Sequence, residues 1–395
     1  MKISIQTVLD LLHSIIKPIS PEIVIHLQRT ALISWYLANK ARLPEQEIRE
    51  TYLAGMLHDI GALDKPRADL ALASESFLDG HEASGAAMTA GIHFLQPVTQ
   101  IIEHHHLEWV DGSTLNLPLI HHLVHMADSF ELYLRRVDGN YIAQREEIVN
   151  GFLSGNKKWP LELVDALIKA SQQDGFWFRL GNPEPERVLQ TISPLHEEFL
   201  GREDFLEVCL LISKIVDKYS SFTQTHSTSV AHVAEKLSEL YGYDTEMQQR
   251  ICIAGYLHDI GKLFIPLSIL EKHGRLEAVE YARMKLHSYK TLVMLEQFEE
   301  LGRIVSWAAN HHERLDGSGY PFGLVAAELD IPSRILAVAD VFTATTENRP
   351  YRRGMDTEKA IEILMEESAN GRLDRDIVGL LIHNIGVVKP LVAMC

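Results

Sequence analysis

A histidine and an aspartate stand side by side in LHDIGK at 257–262, at the end of an apolar run. A neutral imidazole and a carboxylate are both good ligands for borderline divalent metal ions. Adjacent residues on one helix do not normally face each other. They can converge on one site where the helix ends and the backbone turns, and Gly261 permits such a turn. Alone, His258-Asp259 is also common as an ordinary polar pair, so the prediction of a metal site depends on other residues.

Further histidines and one aspartate in the same half of the chain add to this pair. Each histidine has an ordinary alternative, because His226 can simply begin a helix, His287 can lie on the surface, and His311-His312 can face solvent before a turn. Asp340 is different, since apolar residues flank it on both sides and a buried carboxylate needs a cation or several donors. The candidate metal ligands are His226, His258, Asp259, His287, His311, His312 and Asp340.

This ligand set is too large for one tetrahedral ion. Five histidines and two aspartates suit two ions of octahedral preference, with Asp259 placed to bridge them. Mixed imidazole and carboxylate ligation favours iron or manganese over magnesium. Paired ions stabilise the attacking and leaving oxygens of an in-line displacement. The sequence therefore predicts hydrolysis of a phosphodiester.

The whole pattern occurs twice. YLAGMLHDIGALDKP at 52–66 aligns with CIAGYLHDIGKLFIP at 252–266, an offset of 252 − 52 = 200 residues. The offset is 206 from His81 to His287 and 212 near the end of each copy, and both changes fall in predicted loops. The period is far longer than that of a solenoid, which indicates a duplicated domain. The equivalent residues of the first copy are His26, His58, Asp59, His81, His105, His106 and Asp128.

The pattern of apolar residues predicts an all-α protein. They recur at three- and four-residue steps through segments such as 23–41, 87–103 and 331–345, whereas alternating strand-like runs are scarce. GNPEP at 181–185 breaks the helical pattern most strongly. We therefore expect two tandem helical bundles related by internal duplication, with domains at 1–195 and 196–395.

The composition of the 395-residue chain limits its partners and its compartment. A net charge of −17, spread over both halves, argues against binding to a DNA or RNA polymer. Three cysteines without metal-site spacing suit a reducing cytoplasm. The first residues lack the uninterrupted apolar core of a signal peptide, and we find no apolar run of transmembrane length. We expect a cytoplasmic protein without a membrane partner.

The second half resembles the HD-GYP family of bacterial cyclic-dinucleotide phosphodiesterases. The resemblance covers roughly 205–385 and includes HDIGK at 258–262, HHERLDGSGYPFGL at 311–324, IPSRILAVADVF at 331–342 and NRPYRRG at 348–354. It implies HD-type helical bundles, two or three divalent metal ions, and hydrolysis of cyclic di-GMP, with 3′3′-cGAMP as the alternative substrate. The family's seven ligand positions match the seven residues of the second copy named above.

One departure from the family concerns the number of ions. Members with three metals carry a glutamate four residues before the first histidine, and here that position is Phe222. The resemblance therefore implies two ions in the C-terminal domain. In the first copy Glu22 holds the corresponding position before His26, so Glu22 joins the second candidate site and a further metal ion is expected there.

The resemblance also directs attention to cations near the second ligand set. Lys262 can reach a phosphate oxygen, and we predict catalytic roles for Lys262 and Asp259. Arg349, Arg352 and Arg353 can instead solvate a helix end. Tyr320 can stack on a base or pack against the bundle. In this family the loop that carries the Gly-Tyr-Pro sequence, here Gly319-Tyr320-Pro321 and called the GYP loop, is also a proposed contact surface for a protein partner. The candidate substrate-binding residues are Lys262, Arg314, Tyr320, Arg349, Arg352 and Arg353.

The first copy lacks these substrate-handling residues. Ala62 replaces Lys262, Glu108 replaces Arg314, and a shorter segment replaces the GYP loop. We expect a regulatory or structural HD domain, with a hydrolase for another substrate as the alternative. For the whole chain, the rival of the enzyme is a non-catalytic sensor that signals through its GYP surface. The complete ligand set of the second copy favours the enzyme.

Overall fold

The computed structural model describes residues 2–64, 80–109, 117–137, 140–155, 158–219, 225–347 and 354–393. The chain forms two compact units, Lys2–Asp204 and Phe205–Cys395. The predicted all-α class is confirmed, because strand in the described residues is confined to one short antiparallel pair, β1 (Ile3–Ser4) with β2 (Phe199–Leu200).

The described residues of the N-terminal unit form ten α-helices. They are α1 Ile5–Ile16, α2 Pro21–Lys40, α3 Glu45–Leu57, α4 His81–Ala90, α5 Gln96–His104, α6 Leu119–Leu134, α7 Arg145–Leu153, α8 Leu161–Ser171, α9 Asp174–Leu180 and α10 Pro185–Ile192. Short 3₁₀ helices cover Ile60–Asp64 and His93–Leu95.

The C-terminal unit contains the remaining described helices. The first of them begins at Arg202, just before the unit itself begins at Phe205. The helices are α11 Arg202–Tyr219, α12 His226–Tyr241, α13 Thr245–Leu257, α14 Leu267–Leu270, α15 Ala278–Leu295, α16 Ile304–Ala309, α17 Ile331–Thr346, α18 Thr357–Ala369, α19 Arg375–His383, α20 Ile385–Val388 and α21 Pro390–Ala393. Here 3₁₀ helices cover Ile260–Phe264 and Glu299–Leu301.

The segment around the expected domain boundary packs with the N-terminal unit. Strand β2 pairs with β1, and Glu198 forms an ion pair with Arg49 at 2.8 Å. The two units accordingly divide between Asp204 and Phe205.

The prediction of one continuous helix over 87–103 is wrong. Two helices, α4 and α5, occupy this region, and the chain turns between them from Gly91 to Leu95. Gly91 weakens a helix interior, and Pro97 lies in the first turn of α5, where its missing N–H costs no hydrogen bond.

Two glycines bring the ligand-bearing segments together in each unit. A Cβ on Gly255 would overlap the backbone of Ala231, so the glycine lets α13 cross close to α12. A Cβ on Gly261 would overlap the carbonyl of His287, so this glycine lets the turn after α13 contact α15. Gly55 against Ala31 and Gly61 against His81 repeat both contacts in the N-terminal unit. The duplication is therefore preserved in the close contacts that position the histidines.

Candidate metal centres

The C-terminal unit gathers its seven predicted ligands from five places in the chain. His226 begins α12, His258 and Asp259 follow α13, and His287 lies within α15. The remaining three come from the end of α16 and the middle of α17: His311, His312 and Asp340. Two groups have ligand atoms close enough to hold an ion: His226, His258 and Asp259 in one, and His287, His311 and His312 in the other.

Asp259 lies between these two groups. Its Oδ2 is 3.8 Å from Nε2 of His226 and 3.2 Å from Nε2 of His258. Its Oδ1 is 3.5 Å from Nε2 of His287 and 4.0 Å from Nε2 of His311. Each carboxylate oxygen thus faces a different half of the cluster, which is the arrangement that a bridging ligand requires.

Asp340 also contacts both halves. Its Oδ1 is 3.3 Å from Nε2 of His226, and its Oδ2 is 3.5 Å from Nδ1 of His312. Burial alone would raise the pKa of Asp340, but its contacts with His226 and His312 hold it well below the usual value. The carboxylate is therefore ionised and available as a second anionic ligand.

Backbone carbonyls fix the tautomers of three imidazoles. Nδ1 of His258 donates to the carbonyl of Gly255 at 2.7 Å. Nδ1 of His287 and of His311 donate in the same way to residues three positions earlier, each at 2.6 Å. Because a carbonyl can only accept, Nδ1 carries the proton and the lone pair of Nε2 points into the cluster. This is the form in which neutral histidine binds a metal ion.

The donor set fits divalent cations. Nε2 of His258 and Oδ1 of Asp259 are buried and make no hydrogen bond among the described residues, although such buried polar atoms normally have a partner. Burial lowers the pKa of His287 to about 4 and that of His311 to about 3, so both are neutral at neutral pH. Neutral imidazoles and ionised carboxylates with unused lone pairs are what a borderline metal ion binds.

A buried glutamate that the sequence analysis did not identify completes the surroundings of His226. Oε2 of Glu347 accepts a hydrogen bond from Nδ1 of His226 at 3.1 Å. Burial opposes protonation of His226, but Asp340 and Glu347 together raise its pKa to about 10. Glu347 orients the ring so that Nε2 faces the two aspartates, which makes it a positioning residue for this ligand.

The predicted substrate-binding residues differ in what they contact. Lys262 is ion-paired with Asp259, and Arg314 donates to the carbonyl of Glu313 at 3.0 Å. The ring of Tyr320 lies 4.7 Å from that of His312, centroid to centroid. The other three predicted residues, Arg349, Arg352 and Arg353, lie outside the described residues, as does Phe222.

Glu313 holds the GYP loop in place. Its buried carboxylate accepts hydrogen bonds from the backbone N–H of Phe322 at 2.7 Å and of Leu324 at 3.0 Å. A Cβ on Gly319 would overlap the backbone of Glu313 and Arg314, so the loop crosses directly over the residues that follow the histidine pair. Tyr320 is thereby held against the ligand cluster.

The N-terminal unit brings its seven equivalent ligands together in the same way. Oδ2 of Asp59 is 3.3 Å from Nε2 of His26, and its Oδ1 is 2.9 Å from Nε2 of His81 and 3.4 Å from Nε2 of His105. Asp128 is 3.1 Å from Nε2 of His26 through Oδ1. His58 and His106 complete the set, at 3.6 Å from Asp59 and 3.7 Å from Asp128.

Two glutamates of the N-terminal unit differ in their relation to the cluster: the predicted ligand Glu22 lies outside it, and Glu131, for which no role was predicted, contacts His26. Glu22 is exposed, and its carboxylate accepts a hydrogen bond from Ser20 at the first turn of α2, so the structure does not bring it into the cluster. Glu131 is buried, and its Oε2 lies 2.6 Å from Nδ1 of His26. It therefore contacts His26 through the same ring nitrogen that Glu347 contacts in His226. Because Glu22 lies in the first turn of α2, its negative charge instead stabilises the positive end of the helix dipole.

The residues around the N-terminal cluster do not favour a phosphate. Ala62 is fully buried where the C-terminal unit has Lys262. Glu108, the counterpart of Arg314, is exposed and follows the histidine pair closely. The two clusters therefore have the same ligands, but at these two positions the N-terminal unit has a methyl group and a carboxylate in place of two cations.

Helical bundles that carry a His-Asp pair between two helices define the HD-domain class, and comparison with known proteins agrees. One HD-domain family model matches residues 23–133 and another matches 210–377. The 3′3′-cGAMP-specific phosphodiesterase 1 of Vibrio cholerae is 32% identical over 375 residues, 91% of this chain and 86% of that protein. The chain belongs to the HD-GYP family of cyclic-dinucleotide phosphodiesterases.

Two further known proteins are similar to this chain, one in sequence and one in fold. A cyclic di-GMP phosphodiesterase response regulator of Xanthomonas campestris is 36% identical over 225 residues, 53% of this chain and 58% of that protein. The crystal structure of a cyclic GMP-AMP-specific phosphodiesterase of V. cholerae, V-cGAP3, superposes with a TM-score of 0.62 at 19% identity, over 98% of each chain, and this likeness concerns the fold alone. None of the described helices has the length and apolarity needed to cross a membrane.

Proposed function

We propose that the C-terminal unit hydrolyses one phosphodiester bond of a cyclic dinucleotide and releases the linear dinucleotide. The observation that carries this proposal is Asp259, whose two oxygens face separate groups of imidazoles. Such a carboxylate suits two metal ions side by side, and the imidazole-rich ligation favours iron or manganese. When bound, paired ions supply Lewis acidity and an activated water for an in-line displacement.

The protein's own residues supply orientation and charge for this reaction. Carbonyl-bound imidazoles keep their lone pairs directed inward, and Glu347 holds His226 in place. Lys262 lies at the same centre and is 19% exposed, so its ammonium can turn from Asp259 to a phosphate oxygen. Charge stabilisation of this kind is worth most in a buried site, because little water competes for it.

Two cyclic dinucleotides are candidate substrates. Cyclic di-GMP is the default, and it is supported by the X. campestris relative named for that activity, which is 36% identical over 53% of this chain. The alternative, 3′3′-cGAMP, is favoured by the V. cholerae phosphodiesterase that matches 91% of this chain. Both substrates present the same phosphodiester, so the difference must be read at the bases.

A non-catalytic sensor remains the rival, and one feature of the GYP loop favours contact with a protein. Phe322 is 51% exposed and Val325 is 43% exposed, so the loop presents two apolar side chains to solvent. We propose that this loop also contacts a protein partner. The N-terminal unit is proposed to bind metal in a regulatory or structural role, because Ala62 stands in place of Lys262 and Glu108 in place of Arg314.

The test is incubation of anaerobically purified, iron- or manganese-loaded protein with cyclic di-GMP and with 3′3′-cGAMP, with the products separated by chromatography. We expect a linear dinucleotide from at least one substrate. An Asp259→Ala variant should lose both metal from the C-terminal unit and hydrolysis, because two cations would then face each other without the bridging charge. Tight binding of a cyclic dinucleotide without turnover by the loaded protein would favour the sensor.

A further inference from the structure

A lysine and two tyrosines form a small surface beside the C-terminal cluster. The ring of Tyr320 is 4.7 Å from His312 and 6.3 Å from His287, centroid to centroid. Tyr281 of α15 meets it edge to face at 6.4 Å. Nζ of Lys285 lies 5.4 Å from the ring centroid of Tyr281 and 6.0 Å from that of Tyr320. Tyr320 thus contacts both the metal ligands and a cation that is not itself one of them.

Lys285 has no anionic partner in the part of the chain that the structure describes. The neighbouring cations are engaged, since Lys262 pairs with Asp259 and Arg314 donates to the carbonyl of Glu313. Lys285 is half-buried against two rings, and no carboxylate lies within ion-pairing distance of its ammonium among the described residues. Partial burial of an unpaired ammonium is unfavourable for the free protein, so an anionic ligand would gain from binding there.

Tyr281 adds an aromatic surface to this cation. Its ring is half exposed although it lies close to the ligand cluster. Bases of nucleic acids stack on exposed aromatic rings with little regard to sequence. A cation and a stacking surface side by side match a nucleotide, whose phosphate and base are joined through one sugar.

We propose that Lys285 binds the phosphate of the cyclic dinucleotide that is not being cleaved, and that Tyr281 stacks on one of its bases. The proposal rests on the proposed function, because a cyclic dinucleotide carries two phosphodiester groups. While one phosphate is cleaved at the metal ligands, the other projects from the centre and needs a cation of its own. Tyr320 forms the wall shared by the two phosphate sites.

The N-terminal copy is an internal comparison for this assignment. At the offset of 206 that pairs His81 with His287, Lys285 corresponds to Asp79 (285 − 206) and Tyr281 to Glu75 (281 − 206). The ligand set is repeated in the first copy, whereas the cation and the ring are replaced by acidic residues. The metal ligands therefore do not require Lys285 or Tyr281, which is expected if these two residues serve the substrate.

The experiment compares a substrate with two phosphodiesters and one with a single phosphodiester. In full-length, metal-loaded protein, Lys285→Gln should raise KM for the preferred cyclic dinucleotide by about 10- to 100-fold, from the loss of a charge-assisted hydrogen bond. Hydrolysis of bis(4-nitrophenyl) phosphate should be unchanged. Lys285→Arg should restore most of the affinity. Tyr281→Leu should raise KM for the cyclic dinucleotide, and Tyr281→Phe should not.

Lys290→Gln is the matched control. It makes the same charge change on the same helix, at a lysine whose ammonium lies 4.9 Å from the ring centroid of Phe264. Equal KM values in the two glutamine variants would overturn the proposal, and so would an equal loss of both substrates in Lys285→Gln. Wild-type protein that cleaves bis(4-nitrophenyl) phosphate but neither cyclic dinucleotide would overturn the proposed function itself, and the role of Lys285 with it, before any variant is compared.

Discussion

The ammonium of Lys262 pairs with Oδ2 of Asp259, the same oxygen that faces His226 and His258. The pair lies inside the C-terminal ligand cluster, where burial would raise the pKa of Asp259 but His258 and Lys262 hold it well below the usual range. The N-terminal cluster has the buried methyl group of Ala62 at this position. The two clusters therefore differ by one internal positive charge, and this difference is what we expect to separate their chemistry.

Changing Lys262 to alanine should reduce hydrolysis without removing metal. All seven ligands remain, whereas the phosphate loses a cation that water cannot replace. We expect kcat/KM for the cyclic dinucleotide to fall about 10- to 1000-fold, by analogy with removal of a transition-state donor. Metal content measured on the same samples should equal that of the wild type.

Lys272 provides the control for this prediction. It also pairs with a carboxylate of the same unit, that of Glu280, which is not one of the seven predicted ligands. Lys272→Ala should keep full activity. Unchanged kinetics in Lys262→Ala would remove Lys262 from the substrate site, and a parallel loss of metal would mean that its role is to hold Asp259.

Glu347→Gln should weaken metal binding in the C-terminal unit. The neutral amide can still accept from Nδ1 of His226, but it no longer increases the basicity of the ring. Changes to such partners of a metal-bound histidine typically lower metal affinity about 10- to 100-fold. The matched change, Glu131→Gln, should lower affinity in the N-terminal unit and leave hydrolysis nearly intact. Metal titrations that give wild-type affinity for both variants would contradict the positioning role.

These two glutamates mark the limit of what the sequence could predict. The ligands themselves followed from residue type and duplication, and the structure brings all fourteen into two clusters. The offset of 212 that pairs Asp128 with Asp340 does not pair the glutamates, because it takes Glu131 to Thr343 and Arg135 to Glu347. The glutamate has moved by one helical turn, which keeps it on the same face. Sequence alignment therefore does not pair Glu131 with Glu347, and their equivalence is evident only from their contacts with His26 and His226.

Exposure could not be predicted from position either. Glu22 stands where the resemblance to the family predicted a further ligand, yet it lies in solvent beside Ser20. Its spacing of four residues from His26 places both on similar faces of α2. The first turn of α2 nevertheless exposes Glu22, whereas His26 in the second turn is buried. Whether a side chain reaches the cluster depends on where the helix enters the bundle, and local sequence does not encode that.

The N-terminal unit should lose stability as the pH falls from about 6.5 to about 4, because of His13. This residue of α1 is buried and lies 3.0 Å from the carbonyl of Met56, and burial lowers its pKa from 6.5 to about 4. Between these values the unfolded chain binds a proton that the folded chain does not, so folding becomes less favourable as the pH decreases. The contribution is fully present above pH 6.5.

Urea denaturation followed by tryptophan fluorescence tests this, since four of the five tryptophans lie in the N-terminal unit. In metal-free protein, the free energy of unfolding of the wild type should fall more between pH 7.5 and pH 4.5 than that of His13→Gln. The control is His196→Gln, at an exposed position, which should follow the wild type. Parallel pH profiles for the wild type and His13→Gln would show that His13 is not neutral in the folded protein.

The N-terminal cluster has all seven ligands but lacks counterparts of Lys262 and Arg314. Buried, clustered imidazoles and carboxylates are unfavourable without cations, so we expect this unit to bind metal. Glu108 and Ala62 stand where a phosphate would need Arg314 and Lys262, so we do not expect it to hydrolyse cyclic dinucleotides. Metal binding and phosphodiester hydrolysis should therefore be separable within one chain.

Two double variants of the full-length protein separate them. Changing His58 and Asp59 together to alanine should lower the metal count but leave a substantial part of the phosphodiesterase activity, because the C-terminal ligands are untouched. Changing His258 and Asp259 together should abolish that activity. If the first double variant were as inactive as the second while its helical content was retained, the N-terminal unit would be catalytic or an obligatory activator. If it lost no metal, hydrogen bonds such as that between His26 and Glu131 would hold a metal-free cluster together.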